Sequence, residues 1–181
     1  MMLLGRLVVV LSLMVLGGCS GITVSSDYNE STDFSGIKSW AWMLNSPEGN
    51  FDLGVVNPLV RGRIQDAIAA ELAAKGYMEI ISGDADMHVT YHARTQEKIQ
   101  VQPMGGPMIM RPGWGRGYPE VYQYEEGTLI IDLIEGTKEH LIWRGIGKGV
   151  VDWRGSPQER TKLIDEAVQK ILAQFPPKRS R

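Results

Sequence analysis

Three sets of residues in this 181-residue chain carry side chains suited to chemistry. His88 and His92 alternate with apolar residues and fall on one face of an expected strand. At the extended rise they stand about 13 Å apart along the axis, too far to share one ion. A metal site would need further ligands from elsewhere, and no spacing in the chain signals them. Solvated face residues are the preferred reading, and His140, beside an expected hairpin turn, reads the same way. Asp84, Asp86, Asp132 and Glu135 are the carboxylates from which an acid/base pair for hydrolysis would be drawn. Asp86 follows a turn and is better placed for capping or register. Asp132 lies between inward-facing Ile131 and Leu133, hence on the solvent face. Gly113-Trp114-Gly115-Arg116-Gly117 has the glycine density of a phosphate loop. It lacks the preceding strand and following helix that give such loops their mechanics, so nucleotide binding is rejected. No catalytic, cofactor or metal residue is assigned.

The remaining chemical signal is Cys19, the sole cysteine. Arg6, an apolar run from Leu7 to Leu16, and Gly17-Gly18 precede it in the order of a secretory signal. The run is about ten residues, half of the roughly 20 that a spanning helix needs. Leu16, Gly18 and Cys19 resemble the bacterial lipobox. That resemblance implies cleavage before Cys19, a diacylglycerol on its sulfur and an acylated new amino terminus. Two or more chains hold a protein firmly to a bilayer where one does not. Ser20, rather than Asp, resembles the pattern sorted to the outer membrane, facing the periplasm. Residues 1–18 are then a removed signal peptide, and 19–181 form one domain by length. With Cys19 consumed by lipid there is no thiol chemistry left, which suits export. The net charge is −2, and Arg6 is the only charged residue of the leader, so the remainder is slightly more acidic. That balance offers no case for nucleic acid as a partner.

The elements read in order from turn and periodicity signals. Strand-like sequence starts soon after Cys19 (21–29), then a turn at Asp33-Phe34-Ser35-Gly36 and a strand over 38–44 with Trp40 and Trp42 on one face. After a Gly/Pro/Asn-rich loop, Asn57-Pro58 caps and opens a helix. Its apolar stripe is Val60, Ile64, Ala67, Ile68 and Leu72, and Gly76 stops it. A short strand at 77–81 follows. Met87, Val89, Tyr91 and Ala93 mark a longer half-buried strand reaching toward Val101. Strands over 121–135, with Leu129, Ile131 and Leu133 inward, and over 140–152, carrying Leu141 and Trp143, form a hairpin. Ser156-Pro157-Gln158-Glu159 is a capping box opening a last helix, with Leu163, Ile164, Ala167, Val168, Ile171 and Phe175 on its apolar face. The order β-β-α-β-β-β-β-α predicts an α+β two-layer sandwich, with two amphipathic helices packed on one face of a mostly antiparallel sheet. The strand after the first helix can lie parallel to the one before it, which makes the sheet mixed.

Several of these segments together are similar to a known family. Asp33-Phe34-Ser35 ahead of Trp40-Ala41-Trp42 is one. Residues 63–76 (RIQDAIAAELAAKG) before Tyr77 and Ala85-Asp86 are another, and 127–132 (GTLIID) before 141–145 (LIWRG) is the third. With the lipobox, they resemble the bacterial lipoprotein family called domain of unknown function 4136, over nearly all of residues 19–181. The resemblance implies an exported, lipid-anchored α+β domain and no enzyme activity, cofactor or catalytic residue.

The most unusual stretch is the Gly/Pro/Met-rich loop at 103–119. Loops of that length are functional or disordered as a rule. Met104, Met108, Met110, Trp114 and Tyr118 supply adaptable apolar groups for a partner or membrane contact; a connection with no ligand is the competing reading. The basic tail, Lys178 to Arg181, reads as a solvated terminus. The function expected is a non-enzymatic, lipid-anchored binding module of the envelope, with an envelope protein or polymer as partner. The alternatives are an assembly accessory of an envelope complex and a carboxylate-dependent hydrolase of an envelope polymer.

Overall fold

The structure, a computed structural model, describes residues 21–43, 57–81, 84–102, 120–136 and 140–178. Six strands and two α-helices follow the order read from the sequence: β1 (Thr23–Tyr28), β2 (Ser39–Trp42), α1 (Pro58–Ala74), β3 (Met78–Glu79), β4 (Met87–Gln102), β5 (Glu120–Glu135), β6 (Leu141–Val151) and α2 (Pro157–Leu172). They form one sheet in the spatial order β1-β6-β5-β4-β2-β3. β1–β6, β6–β5 and β5–β4 are antiparallel, while β2 runs parallel to both β3 and β4. The sheet is therefore mixed, and the fold is α+β. A short 3-10 helix (Phe34–Gly36) replaces the plain turn before β2, with Asp33 accepting from the Ser35 amide at its start.

Local chemistry explains where both helices begin and end. The Asn57 side chain accepts from the Leu59 amide at 2.8 Å, and Pro58 occupies the first turn, where no amide is needed. Gly76, at a φ of 87°, takes the left-handed conformation that ends α1. The stripe Val60, Ile64, Ala67, Ile68 and Leu72 is the buried set of α1. Each large member contributes roughly 1.5–3 kcal/mol by leaving water. At α2 the capping box closes in both directions: Ser156 Oγ accepts from the Glu159 amide, and Glu159 accepts from the Ser156 amide. The Glu159 carboxyl is held below its ordinary pKa, first by that backbone hydrogen bond and then by the Ser156 hydroxyl.

Met87, Val89, Leu129, Ile131, Leu133 and Trp143 line the helix-facing side of the sheet and are buried. Phe175, just beyond α2, joins the layers: its ring lies 5.4 Å from Trp143, 5.5 Å from Tyr77 and 5.8 Å from Phe34. Trp40 and Trp42 share a face and meet edge-on at 5.0 Å. The expected set on α2 omits Leu172, which is fully buried, whereas Leu141 is exposed. An irregularity between Leu133 and Ile134 shifts the register there and turns Leu141 outward, with Ile142 buried in its stead.

One feature of β6 positions the second helix. Gly145 and Gly147 pair with Ile131 and Leu129, so they occupy the helix-facing side of the sheet without a side chain. A Cβ on Gly145 would collide with the Trp143 ring and with Ile171 Cγ2, and one on Gly147 would meet Ile171 Cδ1 at 2.8 Å. The glycines form a trough that Ile171 of α2 fills.

Candidate functional site

Asp86 is the node from which the central strands are set. Its Oδ2 accepts from the Lys38 amide (2.9 Å), the Ser39 amide (2.8 Å) and Ser39 Oγ (2.8 Å), while its own amide donates to Ser39 Oγ at 3.1 Å. The Gly136 amide donates to the Asp86 carbonyl at 2.9 Å. A Cβ on Gly136 would run into the Ala85 carbonyl, so this crossing requires glycine. Those hydrogen bonds to the carboxylate, led by the Lys38 amide, lower the Asp86 pKa. Asp86 thus holds the start of β2 against the start of β4, the register role expected of it.

The outward face of the sheet holds Asp132, His88 and His92. Asp132 on β5 stands opposite Arg144 on β6 and Thr90 on β4. Arg144 donates Nε–H to Oδ1 at 2.6 Å and Nη2–H to Oδ2 at 2.7 Å, a bidentate pair. His92 Nε2 lies 3.7 Å from the same Oδ2. The expectation of a solvent-exposed Asp132 is corrected: it points away from the helices, as alternation requires, yet is only 3% exposed. The Arg144 stem and head, His92 and Thr90 cover it. His92 is likewise engaged rather than simply solvated, and the His88 Nδ1 atom is buried with no hydrogen-bond partner among the described residues. His88 and His92 pair with different residues of β5, Ile134 and Ile130. Among the described residues no group of three or more His, Cys, Asp or Glu side chains is placed to hold a metal ion. Asp84 is exposed, and Glu135 ends β5, its amide donating to the His140 carbonyl at 2.8 Å.

Two apolar features remain, and neither was apparent from residue types alone. The first is a ribbon. β4 and β5 pair without interruption from Met87↔Glu135 to Gln102↔Glu120. The β5–β6 ladder stops at Glu125↔Val151, and the β2–β4 ladder stops at Trp42↔Val89. The five pairs from Lys98↔Tyr124 to Gln102↔Glu120 therefore have no third strand among the described residues. They extend about 17 Å beyond the sheet at the usual strand rise. Along this ribbon Ile99 is 64% exposed and Val121 55%, and Tyr122 is exposed as well. Only the length of an apolar-polar run announced it, since ladder ends depend on where the neighbouring strands stop.

The second is a cavity of about 100 Å³ between the two helices and the far end of the sheet. Its walls include Ile64 of α1, Ile164 and Ala167 of α2, Trp153, and Ile22 just before β1. Its floor includes Gly127 and Gly149, which pair across β5 and β6, with the Val151 and Ile22 side chains standing where their Cβ atoms would be.

Cys19 and the loop residues Met104, Met108, Met110, Trp114 and Tyr118 lie outside the described residues, as do Gly113 to Gly117 and the tail from 179 onward. No described helix is long and apolar enough to cross a membrane.

A family model described as "Domain of unknown function (DUF4136)" matches residues 24–177. No curated protein matches the chain. Among solved structures it is similar to a PDZ domain protein from Parabacteroides distasonis at 14% identity, with a TM-score of 0.51 over 88% of this chain and 37% of that one. The chain thus spans little more than a third of that protein's length. It is also similar to a PelC dodecamer from Paraburkholderia phytofirmans, at 11% identity and a TM-score of 0.49 over 87% and 99% of the two chains. At such identities the first likeness speaks to the fold alone, and the second carries no argument.

Proposed function

The chain belongs to the DUF4136 family, and from the lipobox-like run ending at Cys19 and the exposed β4–β5 ribbon we propose that it is a lipid-anchored binding module of the bacterial envelope. In this reading the chain is cleaved before Cys19, held by lipid at the periplasmic face of the outer membrane, and acts by contact rather than by catalysis. The observation that carries the binding role is the free β4–β5 ribbon. A two-stranded ribbon is marginal in water on its own. Among the described residues no third strand covers its edges, and such edges are templates for another chain. Ile99 and Val121 add apolar surface to one face of the ribbon beside those edges. A partner protein of the envelope that docks against the ribbon would satisfy both the backbone groups and the apolar side chains. The two clearest carboxylates are committed elsewhere, Asp132 to Arg144 and Asp86 to the start of β2.

The test is photo-crosslinking in whole cells from a reactive residue placed at Gln100 or Gln123, exposed ribbon positions of which the second pairs with Ile99. A discrete adduct with one envelope protein supports the reading, as does its loss in the Ile99→Ser and Val121→Ser double variant. No adduct from either position, in a protein shown to be folded, overturns it. Fractionation of a Cys19→Ser variant tests the anchor separately: release into the soluble fraction is expected, and retention on the membrane overturns that part.

A further inference from the structure

We infer that the cavity between α1, α2 and the glycine end of the sheet is a site for one acyl chain, and that its occupant is a chain of the lipid on Cys19. The proposal rests on the lipid-anchored reading above and adds a place for the lipid on the protein itself. Between the helices and the sheet a space of about 100 Å³ remains, lined on the sheet side by Gly127, Leu129, Gly147 and Gly149. The walls given by Ile64, Ile164, Ala167 and Trp153 are apolar. The pocket is open on one side, so an apolar guest can enter and displace water from its apolar walls. The end segment of an acyl chain fits that description, and a whole lipid does not.

The choice of occupant follows from where the described chain starts. Ile22 is part of the cavity wall, and its Cγ1 stands 3.1 Å from the point a Gly149 Cβ would take. Cys19 is three residues away from Ile22. A fully extended backbone covers at most about 3.6 Å per residue, which limits the separation to about 11 Å. A lipid carried on Cys19 is thereby tethered beside the cavity at a high effective concentration. A chain that enters the cavity leaves the bilayer, so it exchanges one apolar surrounding for another with little penalty. The anchor then fixes how the domain stands on the membrane, with the α1–α2 end of the sheet turned toward it.

The experiment feeds cells a diazirine-bearing fatty acid, isolates the full-length protein in detergent and irradiates it. Intact mass reports the lipid on Cys19, and peptide mapping locates the crosslinks. Crosslinks from the Cys19 lipid to the segments holding Trp153 and Ile164–Ala167 are expected. They should fall several-fold in Ala167→Leu, and separately in Ala93→Leu, each of which fills the cavity from a different wall; circular dichroism confirms that each variant folds. A lipid mass on Cys19 without those crosslinks overturns this inference and leaves the anchor standing. An absent lipid mass overturns both. A third arm adds the Cys19→Ser variant to phosphatidylethanolamine/phosphatidylglycerol vesicles doped with the same photoreactive chain. Equal labelling of the cavity in that arm overturns the assignment to the protein's own lipid.

Discussion

Asp132 and Arg144 stand directly opposite each other on β5 and β6, and the guanidinium closes on the carboxylate with hydrogen bonds of 2.6 and 2.7 Å. The Asp132 side chain is 4% exposed and that of Arg144 37%. The two partners are therefore not equivalent. Arg144→Met strands a buried carboxylate, leaving His92 at 3.7 Å and Thr90 beside it without the guanidinium's charge. We expect that change to cost about 3 kcal/mol. Asp132→Asn leaves Arg144 able to reach water and should cost about 1–2 kcal/mol. The double variant Asp132→Leu, Arg144→Met should recover much of the loss. Urea midpoints of the four proteins measure this; equal losses in the two single variants would contradict the asymmetry.

A second expectation concerns acid. The folded pKa of Asp86 is lowered by the Lys38 and Ser39 hydrogen bonds. A lowered folded pKa gives stability that is fully present above the unfolded value of about 3.9 and is lost as pH falls through the folded value. Wild type should exceed Asp86→Asn in stability at neutral pH. The gap should hold down to the unfolded pKa and narrow below it. Chemical denaturation as a function of pH reads the gap directly, and a constant difference down to strongly acid pH would refute the role.

The glycines separate two physical effects. Gly145→Ala forces a methyl group against Trp143 and Ile171, an overpacking expected to cost about 1–3 kcal/mol. Gly62, within α1, has nothing within 4 Å of its missing Cβ. Gly62→Ala restricts the unfolded chain and should stabilise by about 0.4–1 kcal/mol. Thermal melts of the two variants should move in opposite directions.

The ribbon predicts a separation of binding from folding. Ile99 and Val121 are exposed and lie beyond the three-stranded part of the sheet. Replacing both with Ser should change stability by no more than about 0.5 kcal/mol. The crosslinking phenotype should nevertheless be lost. A large drop in melting temperature would show that the ribbon supports the core instead.

The element order and the buried stripe of α1 were legible in the sequence because both are local. The stripe needs only a period of 3.6, and Asn57-Pro58 and Gly76 mark its ends with their own backbone chemistry. Asp86 was legible only as a capping or register residue after a turn; its partners, Lys38 and Ser39, lie 48 and 47 residues earlier and come to it through the β2–β4 pairing. Asp132 was half legible. Alternation placed it away from the helices, but its burial comes from Arg144, twelve residues later, lying across it. That depends on the register of the β5–β6 hairpin. Gly145 and Gly147 gave no hydropathy signal at all, although they decide where α2 sits. The cavity was illegible because its walls come from both helices, Trp153, Ile22 and three strands, and no local pattern says how closely those pack.

β1 is the first described strand, beginning at Thr23, and its antiparallel pairing with β6 runs from Thr23↔Lys148 to Tyr28↔Trp143. A pull arriving through Gly21 enters along the axis of that strand. Whether the ladder then fails bond by bond or all at once depends on the direction of the load. Force directed along the strand stretches every rung together, whereas force across it peels them in turn from Lys148. In the lipid-anchored reading proposed above, a domain hung from this end is accordingly toughest when the membrane draws away in line with β1, and weakest when it is levered sideways.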